Sequence, residues 1–221
     1  MKTFKLLALV FTPIVVCSVA CAQSGVPKTD TQEWNDFQLT VPVTQKLDLM
    51  IPGTLRFGGN ITMFVDEYVG IGLNYRIQRY VTLNELYFHR EGKRPHAPHE
   101  REDRLSFGAT FTVPIRKFNL INRDLLERRW RFPLVDSWRF RSRLRVEHPF
   151  KIGETKFDWF TYGEVFYDGS ARDWTRNRVA IGASHAFSKH FTLDLYFMRQ
   201  NDGTARPGNM NVIGTTWRVR L

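Results

Sequence analysis

Arginine stands at every second position from 139 to 145, and Glu147 continues the same phase. Side chains two apart share one face of a strand. Arg139, Arg141, Arg143, Arg145 and Glu147 therefore form one charged ridge, and Trp138, Phe140, Leu144 and Val146 form the opposite face. Such a ridge supports two kinds of chemistry. Carboxylates can neutralise it in a salt-bridge lattice, or it can draw anions into the water it lines. Arg56, Arg76, Arg176 and Arg178 occupy similar polar phases, with Glu85, Glu164 and Asp194 as partners. Both readings stay open: bridges that plug a narrow interior, and an arginine excess lining an anion-favouring path.

The other reactive residue types form no comparable set. His96, His99 and Glu100, with His89 nearby, are metal-binding types, but Pro95 and Pro98 interrupt them and Arg, Lys, Glu and Asp surround them. That composition reads as a solvated loop, and no metal or cofactor is expected. Ser184 adjoins His185, the residue types of a nucleophile and its base. Neighbours on a strand point to opposite faces, so the pair cannot act together, and His148 beside Glu147 has the same defect. No catalytic residue is assigned.

The elements that position the ridge are strands. From Glu33 onward apolar residues recur with period two, as in Leu105, Phe107, Ala109, Phe111 and Val113, or Val69, Ile71, Leu73, Tyr75 and Ile77. The alternation predicts eleven strands: 33–42, 46–57, 62–77, 80–90, 103–114, 117–130, 137–149, 156–168, 174–187, 190–200 and 210–221. Most exceed the ~5–6 residues usual for soluble strands and match the ~9–11 that a tilted transmembrane strand needs. Short connections near 43–45, 78–79 and 188–189 contrast with longer polar ones near 91–102 and 201–209, the asymmetry of a membrane barrel. Bacterial single-chain barrels use even strand numbers, so an odd count predicts that one segment is missed, wrongly split or outside the wall.

Alternation alone leaves open which face meets water. Arginines turned to lipid would cost roughly 2–4 kcal/mol each near the midplane, so the ridge must face water or carboxylates. Gly70, Gly72, Gly108, Gly163, Gly182 and Gly214 recur within strands, where a soluble exterior would carry Lys and Glu. Trp34, Tyr68, Tyr80, Trp130, Trp138, Tyr167, Trp174, Phe187 and Phe191 lie toward segment ends, as an aromatic girdle at two interfaces requires. The expected fold is all-β: an antiparallel transmembrane β-barrel of about 10–12 strands, apolar outside and charged inside.

The N-terminus supplies an address. Lys2 and Lys5, the apolar run from Leu6 to Val16, and Ala20 with Ala22 read as a signal peptide over 1–22, followed by a flexible segment over 23–32 and the barrel over 33–221. The alternative reads Ser18 to Cys21 as a lipoprotein box with Cys21 lipidated. Both cysteines, Cys17 and Cys21, fall within the signal, so cleavage after Ala22 leaves no disulfide. Cleavage would also remove two of the 32 basic residues and none of the 22 acidic ones, leaving a net charge of +8. For an exported chain that charge suits anionic headgroups rather than nucleic acid. The expected location is the bacterial outer membrane, with its lipids and the barrel assembly machinery as partners.

The chain resembles a family of predicted outer-membrane proteins, domain of unknown function 2490. The resemblance rests on Glu33 to Phe37, on Leu120 to Trp130 with Asn122, Arg123, Glu127 and Arg129, on Arg139 to Glu147, and on Arg176 to Arg178 through Leu221. It implies a barrel of no assigned activity. In such barrels a terminal strand ending in an aromatic residue serves as the assembly signal; Trp217, Val219 and Leu221 stand in its place here. Two further readings remain beside a structural or pore-forming barrel: an enzyme acting on lipid or lipopolysaccharide, and a soluble or lipid-anchored periplasmic barrel that binds an apolar ligand.

Overall fold

The computed structural model describes residues 28–93 and 99–221. The expected signal, Cys21 and His96 lie outside the described residues. Eleven strands follow in order: β1 (Thr29–Pro42), β2 (Leu47–Gly58), β3 (Met63–Gln78), β4 (Val81–Gly92), β5 (Glu100–Ile115), β6 (Phe118–Phe132), β7 (Ser137–Ile152), β8 (Thr155–Asp168), β9 (Asp173–Ala186), β10 (Phe191–Asp202) and β11 (Asn209–Arg220). Each overlaps one predicted segment closely, because the alternation persists along whole strands. β1 begins four residues before its predicted start, so 29–32 belong to the wall rather than to a flexible lead.

Neighbouring strands pair antiparallel from β1 round to β11, and the ring closes β1 against β11. That last pair is parallel, with Glu33 opposite Ile213 and Thr40 opposite Arg220. The expectation of one stray segment is thereby corrected, as is that of a wholly antiparallel wall. All eleven strands are in the ring, and alternating directions make the first and eleventh run the same way.

The two rims differ. One carries the connections 43–46, 79–80, 116–117, 153–154 and 187–190, each of two or four residues; the other carries 59–62, 93–99, 133–136, 169–172 and 203–208, of four to seven. Arg116 (φ 57°) and Gly153 (φ 59°) provide the left-handed backbone of two of the tight turns. β1 starts at the long-loop rim and β11 ends at the short-turn rim.

Polarity runs opposite to that of a water-soluble domain. Val179 (60 % exposed), Ile181 (61 %) and Leu195 (57 %) lie on the outer face, whereas Glu127 and Glu164 inside are each 1 % exposed. Trp34, Phe160, Tyr162, Ala180, Tyr196, Met198 and Val212 cluster inside the ring on β1 and β8–β11. Glycines keep room for these rings: a Cβ at Gly214 would sit 2.1 Å from the Tyr196 ring, and one at Gly182 would sit 2.6 Å from the Phe160 ring. Gly163, by contrast, meets nothing within 4 Å and shares its outward phase with Val165.

Candidate functional site

The interior follows from strand parity. On β7 the inward phase is Ser137, Arg139, Arg141, Arg143, Arg145 and Glu147. Register then decides which carboxylate each arginine meets. Glu127 on β6 lies opposite Arg139, and Glu164 on β8 lies opposite Arg143. Arg139 Nε donates to Glu127, and the Nε atoms of Arg141 and Arg143 both donate to Glu164 Oε1, the second at 2.9 Å. Arg178 Nη1 approaches the other oxygen of Glu164 at 3.4 Å and gives its Nε to Gln200 (2.8 Å).

The network extends toward the long-loop rim. Arg104 bridges Glu102 (2.7 Å) and Glu127 (3.9 Å), and Arg129 bridges Glu102 (2.8 Å) and Asp168 (3.0 Å). One lattice thus joins Asp168 to Gln200 through six arginines and four carboxylates. A buried charge is tolerated only when paired, and this lattice pairs each acid at least once while leaving positive charge in excess.

Aromatic rings take up part of that excess. The Arg145 guanidinium lies 3.7 Å from the Phe160 ring centre, Arg143 lies 4.7 Å from Tyr162, and Arg178 lies 4.9 Å from Phe166. Cations over ring faces gain most where water is scarce. Between the charged wall and the aromatic wall runs a cavity of about 1250 Å³, bordered by Arg123, Arg141, Arg143, Tyr162 and Tyr196 among others.

Toward the short-turn rim, Asp194 accepts hydrogen bonds from Ser184 (2.6 Å) and Arg218 (2.6 Å), with Arg145 at 3.8 Å. Arg145 Nε donates to Glu147 at 2.7 Å. Asp48 takes Arg220 at 3.0 Å and Arg76 at 3.8 Å. Toward the other rim, Arg176 donates to Asp202 (2.6 Å), and Arg56 pairs with Asp66 (3.8 Å). Ser184 points inward, while His185 Nδ1 lies 2.8 Å from the Lys156 carbonyl on the outer side, so the two form no catalytic pair.

Three assignments need correction. Glu85 lies on the outer face of β4, opposite Leu73 and Phe107, and takes no part in the interior network. Its phase is that of Leu83 and Tyr87. Trp34 faces inward and is 3 % exposed, its indole N–H donating to Gln32 (2.8 Å) and its ring lying 3.6 Å from the Arg56 guanidinium. Tyr68 also faces inward and accepts a hydrogen bond from Arg56 at 2.9 Å. These two rings stack on cations inside the ring rather than joining a girdle.

The remaining residues of the expected girdle lie on the outer face or in turns. Tyr80, Trp130, Trp138, Trp174 and Phe187 are exposed, and Tyr167 packs edge-on against Trp174 at 5.6 Å. On the short-turn side Phe187 stacks on Phe191 (5.4 Å) and Phe191 on Trp217 (5.9 Å), which stacks on Phe37 (6.4 Å). Val219 and Leu221 continue the outward phase of Trp217. Sequence reasoning missed Glu102, Arg104, Glu127 and Arg129 as members of the lattice. The signal was present: Arg104 and Ser106 alternate with Leu105 and Phe107, which puts Arg104 on the inner phase.

A family model described as a protein of unknown function, DUF2490, matches residues 31–211. No curated protein and no solved structure matches the chain.

Proposed function

The chain belongs to the DUF2490 family of proteins of unknown function, and from that premise we propose that it is a bacterial outer-membrane β-barrel whose arginine-rich interior forms a narrow, anion-favouring path. The observation that carries this reading is the reversal of polarity across the wall. Apolar side chains such as Val179, Ile181 and Leu195 project outward while Arg139, Glu127 and Glu164 are buried within. Water outside would leave that apolar surface unpaid for by burial, whereas acyl chains solvate it. The aromatic residues near both rims support the same placement, because their rings suit the headgroup level.

Selectivity follows from the unequal lattice. Six arginines share four carboxylates, so the local potential is positive and anions enter at lower cost than cations. The bridges and stacked rings also narrow the passage, so conductance is small.

The test has two arms. Purified protein should migrate differently before and after boiling and should require detergent to stay in solution. In planar bilayers it should give small steps whose reversal potential under a salt gradient favours anions. Free solubility without detergent, with no change in migration on boiling, would remove the membrane reading; cation preference would remove the selectivity.

A further inference from the structure

We propose that Arg123 and Arg143 form a binding site inside the barrel for a doubly charged oxyanion of the phosphate class, carried on a soluble molecule. The proposal deepens the anion-favouring reading above and rests on it. Arg123 lies on the inner phase of β6, opposite Thr110 on β5 and Arg143 on β7. Two like charges facing each other across an antiparallel pair repel. No carboxylate sits opposite Arg123 on either side to offset this.

The surrounding acids are already engaged. Glu164 takes Arg141, Arg143 and Arg178, and Glu127 takes Arg104, Arg139 and Arg141. Among the described residues nothing hydrogen-bonds to Arg123 or forms an ion pair with it. Arg143 commits its Nε to Glu164, and its terminal amino groups have no hydrogen-bond partner among the described residues. Both arginines border the cavity of about 1250 Å³, so their free N–H groups face open space rather than packed protein.

The ligand class follows from that geometry. A guanidinium plane presents paired N–H donors that match two oxygens of one oxyanion. A single dianion neutralises both arginines and removes their repulsion. A monoanion such as chloride or acetate leaves one charge uncompensated, so phosphate is favoured over either.

The experiment uses the full folded barrel in non-ionic detergent, titrated with inorganic phosphate against sodium chloride of equal ionic strength, at an alkalinity where phosphate is doubly charged. Equilibrium dialysis should show saturable binding of one phosphate. Arg123→Gln should weaken it by at least about tenfold, as loss of a charge-assisted pair does, while Arg220→Gln at the rim should leave it unchanged. The unfolding midpoint gives a second readout. Without phosphate Arg123→Gln should unfold at a higher temperature than the parent, because repulsion is relieved; with phosphate the parent should close the gap. Arg143→Gln also loosens Glu164, so Arg123→Gln decides if Arg143→Gln fails to fold.

Glycerol phosphate should compete for the site and vesicles carrying phosphatidic acid, a lipid with the same doubly charged phosphomonoester, should not; competition by the vesicles alone would overturn the assignment to a soluble molecule. Equal binding by parent and Arg123→Gln, or an equal loss in Arg220→Gln, would overturn the site. Anion-favouring conductance without dependence on Arg123 would remove the site and leave the wider reading. Binding that depends on Arg123 in a freely soluble protein would do the reverse.

Discussion

Glu164, like Glu127, holds three guanidinium groups at once, which makes it one of the two most sensitive positions in the interior lattice. Glu164→Gln leaves those cations buried without a countercharge and should lower stability by about 3–5 kcal/mol, read as the unfolding midpoint in detergent. Arg141→Leu should cost less, about 1–3 kcal/mol, because Arg143 and Arg178 still neutralise Glu164. The opposite face obeys another rule. Leu144 is exposed on the outer face, and Leu144→Arg in an acyl environment costs roughly 2–4 kcal/mol near the midplane. Leu144→Arg should therefore impair insertion into vesicles more than Arg141→Leu does; equal assembly of the two would reverse the assignment of faces. Residue identity was partly legible in the sequence. The phase of Arg139 to Arg145 was plain, and the outward phase of Glu85 was equally available from Leu83 and Tyr87. Trp34 and Tyr68 misled because a ring with a polar tip suits an interface and a cation stack alike; the polar residues on the phase of Trp34, namely Asp30, Gln32, Asp36, Gln38 and Thr40, pointed inward.

At the scale of the strand, alternation held over long stretches, so the boundaries of the elements could be read directly. Partner choice could not, since it depends on register. That Glu127 meets Arg139, and Glu164 meets Arg143, follows from how β6, β7 and β8 are offset, and no single strand encodes the offset. The ends of β4 and β5 at the long-loop rim behave differently from the rest of the wall. Beyond the aromatic level of Tyr87 the outer face turns to His89, Glu91, Arg101 and Asp103, groups suited to water. The hydrogen bond of His89 to Asp103 (2.8 Å), opposed by partial burial and aided by Glu91 (3.0 Å), holds the imidazole pKa above its ordinary value. A raised folded-state pKa gives stability that is complete below the unfolded value and is lost as pH rises through the folded one. Amide protection at the β4–β5 ends, corrected for intrinsic exchange, should therefore fall as pH climbs above the histidine range. His89→Gln should flatten that dependence; an unchanged profile would show that His89 does not tie the two ends.

The whole molecule is set by a number that composition does not reveal. Eleven strands in one ring put Thr29 at the long-loop rim and Leu221 at the short-turn rim. If the longer loops face the cell exterior, Thr29→Cys should react with a membrane-impermeant maleimide on intact cells, and Leu221→Cys only after permeabilisation. The chain's own cysteines, Cys17 and Cys21, precede the wall and fall in the expected signal, so the labelling background is low. Labelling of both sites from one side would mean that a strand has left the ring.

The parallel seam between β1 and β11 also determines how the gene can be rewired. Thr40 lies beside Arg220, whereas Thr29 lies eleven residues away along the same strand, about 36 Å at the usual rise. A circular permutant joined through three or four glycines, ample where both chain ends meet at one mouth of a cylinder, falls short here. The splice must span the full height of the wall, and new ends are better opened at one of the existing hairpins than gained by stitching the old ones together.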